Sequence, residues 1–157
     1  MQSWPLTDHH RVRRAVAADL TAIVALLTDD PLGRQRESSD PDRYRQALEA
    51  IDADPHQFLA VVVDAHDRVM GTGQLTLTPG LSRGGMLRAS LEAVRISGEL
   101  RGQGAGSAFV DWCAQWSRDQ GAGLLQLSSD KSRTRAHDFY ARLGFTASHV
   151  GMKLDLD

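Results

Sequence analysis

Leu91-Glu92-Ala93-Val94-Arg95-Ile96-Ser97-Gly98-Glu99-Leu100-Arg101-Gly102-Gln103-Gly104-Ala105-Gly106-Ser107 is the stretch from which the rest of the chain can be placed. An apolar, β-branched run around Val94 and Ile96 enters a loop with glycine at 102, 104 and 106, and helix-forming apolar sequence follows at once. The order reads as strand, tight loop, helix N-terminus. Glycine tolerates positive φ and lets main-chain N–H groups approach a ligand, and the first helical turn offers unpaired N–H donors at the positive end of the dipole. The combination predicts an anion cradle, most naturally for phosphate.

Spacing separates the kinds of phosphate loop. A P-loop needs Gly-Lys-Ser/Thr after four intervening residues, and no Lys follows here. A dinucleotide fingerprint needs Gly-x-Gly-x-x-Gly in the first βαβ unit, whereas Gly102-Gln103-Gly104-Ala105-Gly106-Ser107 has Ser at the sixth position and lies two-thirds of the way along the chain. Arg101-x-x-Gly104-x-Gly106 instead resembles the acetyl-coenzyme A pyrophosphate loop of the GNAT superfamily of N-acetyltransferases. Taken alone, the motif is also compatible with an ordinary strand-to-helix connection. A second motif, Ala136-His137-Asp138-Phe139-Tyr140-Ala141-Arg142-Leu143-Gly144-Phe145, resembles that family's helix carrying Phe-Tyr and ending in Leu-Gly-Phe, one helix and one strand downstream.

Outward from these motifs, length and charge set the bounds. At 157 residues the chain suits one domain, 1–157, large enough for its own core. With 18 basic and 20 acidic residues the net charge is −2, which gives no electrostatic case for nucleic acid or an anionic membrane. One cysteine, Cys113, excludes a disulfide framework and a multi-cysteine zinc site. No apolar run approaches a membrane span and no signal pattern opens the chain, so a cytoplasmic location is expected. His56, His66 and His149 lack ligand spacing, and a metal is not implied.

In chain order, residues 1–9 read as a loose tail and 11–16 as a first strand with an exposed basic face. Asp19 falls in the first turn of a helix that buries Leu20, Ile23, Val24 and Leu27. A polar loop at 29–40 follows, then a helix over about 41–53 with Pro41 at its start. Phe58–Val63 is a buried strand, 65–68 a hairpin turn, and Val69–Thr78 a third strand whose Gly71 and Gly73 signal a bulge or a close approach. A flexible loop at 79–85 leads back to the Leu91 strand. The helix from Gly104 to about Gln120 buries Phe109, Trp112, Cys113 and Trp116, and Gly121 caps it. Leu124–Leu127 is the next strand, parallel to the cradle strand by the crossover rule. A helix over about 134–143 and an alternating last strand, 150–156, complete the chain.

The resemblance implies an α/β fold: a GNAT-like mixed, mostly antiparallel central sheet with helices on both faces and a splayed parallel strand pair. It implies acetyl-coenzyme A as donor, a small-molecule amine as acceptor, and a homodimer as a common state among relatives. The cofactor-binding set it marks is Arg101, Gly102, Gln103, Gly104, Ala105, Gly106 and Ser107 for the diphosphate, the main chain of Val94, Arg95 and Ile96 for the pantetheine arm, and Ser128, Arg133 and Phe139. Many members carry Asn where this chain has Arg133; Arg is too long to be an equivalent, so it reaches a phosphate or leaves the contact to Ser128 or Ser132. In the family Tyr140 would donate a proton to the leaving thiolate, a sensible direction for a phenol of pKa about 10 and a thiol of about 8.5. Glu92 is the candidate base for the amine: it shares strand parity with Val94 and Ile96, so unless a bulge intervenes it points to an apolar face, and burial raises a carboxylate's pKa. In relatives the loop at 29–40 borders the acceptor, which makes Arg34, Arg36 and Glu37 candidate contacts; the loop at 79–87 is placed there as well. Two other outcomes stay open: a non-catalytic acetyl-coenzyme A-binding module, and an acetyltransferase for protein N-termini or lysines.

Overall fold

Six strands form one sheet in chain order: β1 (Ser3–Thr7), β2 (His10–Arg14), β3 (Gln57–Val63), β4 (Val69–Thr78), β5 (Arg88–Ile96) and β6 (Leu124–Gln126). Every neighbouring pair is antiparallel except β5 and β6, which run parallel. The computed structural model describes all residues, Met1–Asp157, as two compact units, Met1–Gln126 and Leu127–Asp157. The helices are α1 (Leu20–Thr28), α2 (Pro31–Arg36), α3 (Pro41–Ala53), a single turn α4 (Ser82–Gly85), α5 (Ala105–Asp119) and, in the second unit, α6 (Thr134–Arg142).

The core follows from where apolar runs meet the pleat. β3 is continuously apolar from Phe58 on, and Ala60, Val61, Val62 and Val63 are fully buried, as expected for a strand covered on both faces. One face carries α5: a Cβ added to Gly73 would lie 2.9 Å from the Phe109 ring, so the strand glycine is there to admit the helix. The other face carries α1 and α3.

Four expectations are corrected. Residues 1–9 are not a tail: Ser3–Thr7 pair with β2, and the Trp4 ring sits 5.4 Å from Trp112 and 5.8 Å from Phe58, which fixes β1 to α5. The basic face of β2 is not wholly exposed, because Arg13 is buried and its guanidinium donates to both carboxylate oxygens of Asp19, at 2.7 and 3.0 Å. The 29–40 loop contains α2, whose N-cap Asp30 accepts from the Leu32 N–H; buried Gly33 packs so close that a Cβ there would lie 1.8 Å from the Leu27 carbonyl. Residues 150–156 form no strand.

Candidate active site

The cradle is built by its turns. Ser97 caps the short 3₁₀ turn Gly98–Leu100, and the N–H of Gln103 returns to the Leu100 carbonyl at 3.1 Å. Gly102 and Gly104 take φ of 77° and 73°, the left-handed region that disfavours any side chain. The first intrahelical bond of α5 runs from the Ala108 N–H to the Gly104 carbonyl, at 3.0 Å. The N–H groups of Ala105, Gly106 and Ser107 therefore precede the hydrogen-bonded ladder, at the positive end of the dipole. Buried Ala105 anchors that turn against Leu100 and Met70. A Cβ built on Gly102 or Gly104 would meet nothing within 4 Å, so the bend opens outward. These residues fit a diphosphate: three amides ahead of the helical ladder, open space at both glycines and Arg101 alongside.

Next to the cradle the parallel pair separates. β6 accompanies β5 only across Arg88–Ser90, and β5 runs on to Ile96 without it. Where β5 passes Gly73 the ladder with β4 slips: Thr72 faces Arg95 and Gln74 faces Glu92, so Ala93 and Val94 oppose a single residue. Ala93 takes φ of 53° to make this bulge. The bulge resets the side-chain alternation expected for Glu92. It shares its face with Arg95 and Gln74 and is exposed, which corrects the expectation of an apolar setting. The Arg95 guanidinium donates to the Val94 carbonyl at 2.8 Å and lies 3.1 Å from Asp30, tying the strand beyond the bulge to the cap of α2.

On the same face a cavity of about 150 Å³ lies under α1 and α3, lined by Leu27, Leu48, Ile51, Thr72, Gln74 and Ala93 among others. Tyr44 of α3 closes the preceding loop: its hydroxyl donates to Glu37 Oε2 at 2.5 Å and accepts from the Ser38 N–H at 2.8 Å. Burial and then the Glu37 carboxylate push the Tyr44 phenol above its usual range. Arg34 and Arg36 stand exposed on α2, and Glu37 is taken up by Tyr44.

The strand register also brings forward residues that sequence reasoning missed. Arg88, Ser90 and Glu92 share one face of β5, and Ser90 accepts from Gln126 Nε2 at 3.2 Å. Beside them Gln57 Oε1 accepts from Gln74 Nε2 at 2.9 Å and from Thr76 Oγ1 at 2.8 Å, so this part of the sheet is polar. The Arg88 guanidinium lies beneath the β4–β5 loop, its Nη2 3.9 Å from where a Cβ of Gly80 would be, and its Nε is buried without a hydrogen-bond partner. The only sequence signal was its parity with Glu92.

In the second unit, Tyr140 and Phe139 lie half-buried on α6. The Tyr140 ring meets Phe139 at 5.1 Å and Phe145 at 5.5 Å, edge to face in both cases. Gly144, with φ of 95°, lets the chain turn so that the Phe145 N–H reaches the Tyr140 carbonyl at 3.1 Å. Arg133 occupies the N-cap position, its N–H bonded to the Asp130 carbonyl at 3.0 Å, and Ser128 precedes it on an exposed stretch. His137 points back along this turn, Nε2 2.8 Å from the Asp130 carbonyl.

Comparison with known proteins bears on the family and the fold. A sequence profile described as acetyltransferase (GNAT) family matches residues 20–145. Glucosamine 6-phosphate N-acetyltransferase of Trypanosoma brucei brucei is 33% identical over 89 residues, 57% of this chain and 58% of that protein, so the match spans under two-thirds of that relative. Aminoalkylphosphonate N-acetyltransferase of Salmonella typhimurium is 28% identical over 140 residues, covering 88% of this chain and 86% of the relative. Among solved structures, one described as a transcriptional regulator from Bacillus halodurans superposes with a TM-score of 0.90 at 39% identity, over 94% of this chain and 100% of that one. No helix here is long and apolar enough to cross a membrane.

Proposed function

The chain belongs to the acetyltransferase (GNAT) family, and from that premise we propose that it moves the acetyl group of acetyl-coenzyme A to a primary amine of a small molecule, by direct attack within a ternary complex. The observation that carries this reading is the bend at 101–107, with two left-handed glycines and three amides ahead of the first helical bond. When bound, the donor supplies an acetyl group activated as a thioester. Arg101 to Ser107 hold its diphosphate; the main chain of Val94, Arg95 and Ile96 along the separated edge of β5 holds the amide-rich arm. Ser128, Arg133 and Phe139 complete the binding set.

Tyr140 holds at its phenol oxygen the proton that leaves with the sulfur. Glu92 takes a proton from the acceptor's ammonium group, directly or through water, and its exposed position leaves it reachable by both. The acceptor lies along Arg88, Ser90 and Glu92. Four residues of strand separate the Cα atoms of Arg88 and Glu92 by about 13 Å, less the reach of the arginine side chain. A small amine that also carries a phosphate, phosphonate or carboxylate group fits that interval, its anion on Arg88. The names of the trypanosomal and Salmonella relatives, one for a sugar phosphate and one for an aminophosphonate, support the same class.

The test is free-thiol release from acetyl-coenzyme A with a panel of amines, with and without an anionic group. Release that needs the amine, favours the anionic members and loses that preference in Arg88→Ala is the expected result. Tight donor binding with no turnover on any amine would favour a non-catalytic acetyl-coenzyme A-binding module. Turnover confined to peptide N-termini or lysines would replace the small-molecule acceptor.

A further inference from the structure

The cavity of about 150 Å³ between the sheet and the helices α1 and α3 is larger than acetyl transfer requires. Leu20 and Leu27 of α1 and Leu48 and Ile51 of α3 line it. Polar groups in its wall are engaged elsewhere: Thr72 Oγ1 donates to the Ala60 carbonyl at 3.0 Å, Gln74 Nε2 to Gln57 Oε1 at 2.9 Å, and the Tyr44 hydroxyl to Glu37. What is left is apolar, and a polar substituent entering it would lose its water without compensation. On the sheet side Thr72 is buried, Gln74 half-buried and Ala93 exposed, so the cavity opens at the bulge of β5. A dry cavity of about this size, lined by Leu, Ile and Phe, takes up benzene, which sets the room at about six carbons.

Position along β5 says what enters. The proposed function, on which this inference rests, puts the donor's arm on the main chain of Val94, Arg95 and Ile96 and the acceptor along Arg88, Ser90 and Glu92. Ala93 stands between the two. The thioester carbon therefore comes to Ala93, with the arm leaving it one way along the strand and the acceptor the other. The group that remains to turn into the cavity is the acyl chain. We propose that this cavity binds the acyl chain of the donor, and that the protein transfers acyl groups of about four to six carbons as well as acetyl. The amine nitrogen bonds to the thioester carbonyl carbon as the carbon–sulfur bond breaks, giving an amide and free coenzyme A. Of the two protons the ammonium group gives up, one goes to Glu92 and one ends on the coenzyme A thiol.

Calorimetric titration with acetyl- and hexanoyl-coenzyme A reads the cavity, and thiol release from each donor with the same amine panel reads the transfer. A buried methylene favours binding about fourfold, and hexanoyl carries four more of them than acetyl. Hexanoyl-coenzyme A is therefore expected to bind at least tenfold more tightly and to turn over with a kcat/KM no lower than that of acetyl-coenzyme A. Val24→Phe brings a ring into the cavity from α1. It is expected to cancel the difference in affinity and to cut the hexanoyl-to-acetyl ratio of kcat/KM at least tenfold. If that variant fails to fold by circular dichroism, Ala47→Leu fills the cavity from α3 and is read in the same way. Acetyl turnover with equal affinity for the two donors overturns the inference and leaves acetyl transfer standing; so does a hexanoyl advantage that the filled variant keeps. A filled variant that changes only which amines are accepted also overturns it, since the cavity then holds part of the acceptor. No thiol release with either donor and any amine overturns the transfer reading itself, and the longer acyl products with it.

Discussion

At the residue scale the chain's chemistry turns on a few backbone choices. Gly104 sits at φ of 73°, a conformation that costs an ordinary L-residue roughly 1–2 kcal/mol and is worse for a β-branched one. Gly104→Val is therefore expected to distort the amide set, raising the KM for acetyl-coenzyme A at least tenfold while the α5 helix survives; an unchanged KM would remove the loop from donor binding. Tyr140→Phe keeps the ring contacts with Phe139 and Phe145 and deletes only the hydroxyl. Its kcat is expected to fall about 10²–10⁴-fold with the donor KM nearly unchanged, since that is the usual worth of a positioned proton donor. A fall in thermal stability with full kcat would make the tyrosine a packing residue. The glycines and the Phe-Tyr pair were legible because their signal is local. Glu92 was not, because alternation is read by counting, and the bulge beside it rests on an alanine at positive φ, a position no residue preference announces.

Elements are held by longer-range pairings, and those explain both the stability and the misreadings. Arg13 of β2 and Asp19, just ahead of α1, form a buried pair at 2.7 Å, with Asp67 of the β3–β4 turn adding a third charge at 3.1 Å. Burial pushes the Asp19 carboxyl up, but the Arg13 guanidinium and the Val16 N–H outweigh it and hold it below the usual carboxylate range. A carboxyl depressed in the folded state contributes stability that is present above its unfolded pKa of about 3.9 and is lost as pH falls through the folded value. Urea midpoints are thus expected to hold from neutral pH to about 5 and drop in acid, with Asp19→Asn showing a shallower acid drop. At neutral pH that variant is expected to lose about 3 kcal/mol, near the lower bound for breaking a buried pair because Asp67 still faces Arg13. A midpoint unchanged by the substitution would contradict the role. From sequence, Arg13 looked like one of several exposed strand arginines; its partner lies across a register that only the folded sheet sets. β1 was missed for a related reason, since Trp4-Pro5 is poor strand sequence and is held by the aromatic contacts of Trp4.

At the scale of the whole molecule, the mostly antiparallel sheet with one parallel pair, the helices on both sheet faces and the family were readable in advance, because two short motifs fixed the crossover between them. The ends of the chain were not: one end pairs where a tail was expected, and the other, 150–156, forms no strand where alternation had suggested one. If α5 begins at the donor's diphosphate, as proposed, the whole fold should feel that ligand. Acetyl-coenzyme A at 100 times its dissociation constant is expected to add about 2.7 kcal/mol to folding stability, seen as a raised Tm. The most direct test of the account is a pair of calorimetric titrations, one with coenzyme A and one with pantetheine, which keeps the arm and lacks the nucleotide and its diphosphate. If the bend at Gly102–Ser107 grips the diphosphate, coenzyme A binds at least a hundredfold more tightly than pantetheine, and Gly104→Val erases most of that difference; equal affinities in the unsubstituted protein would contradict it.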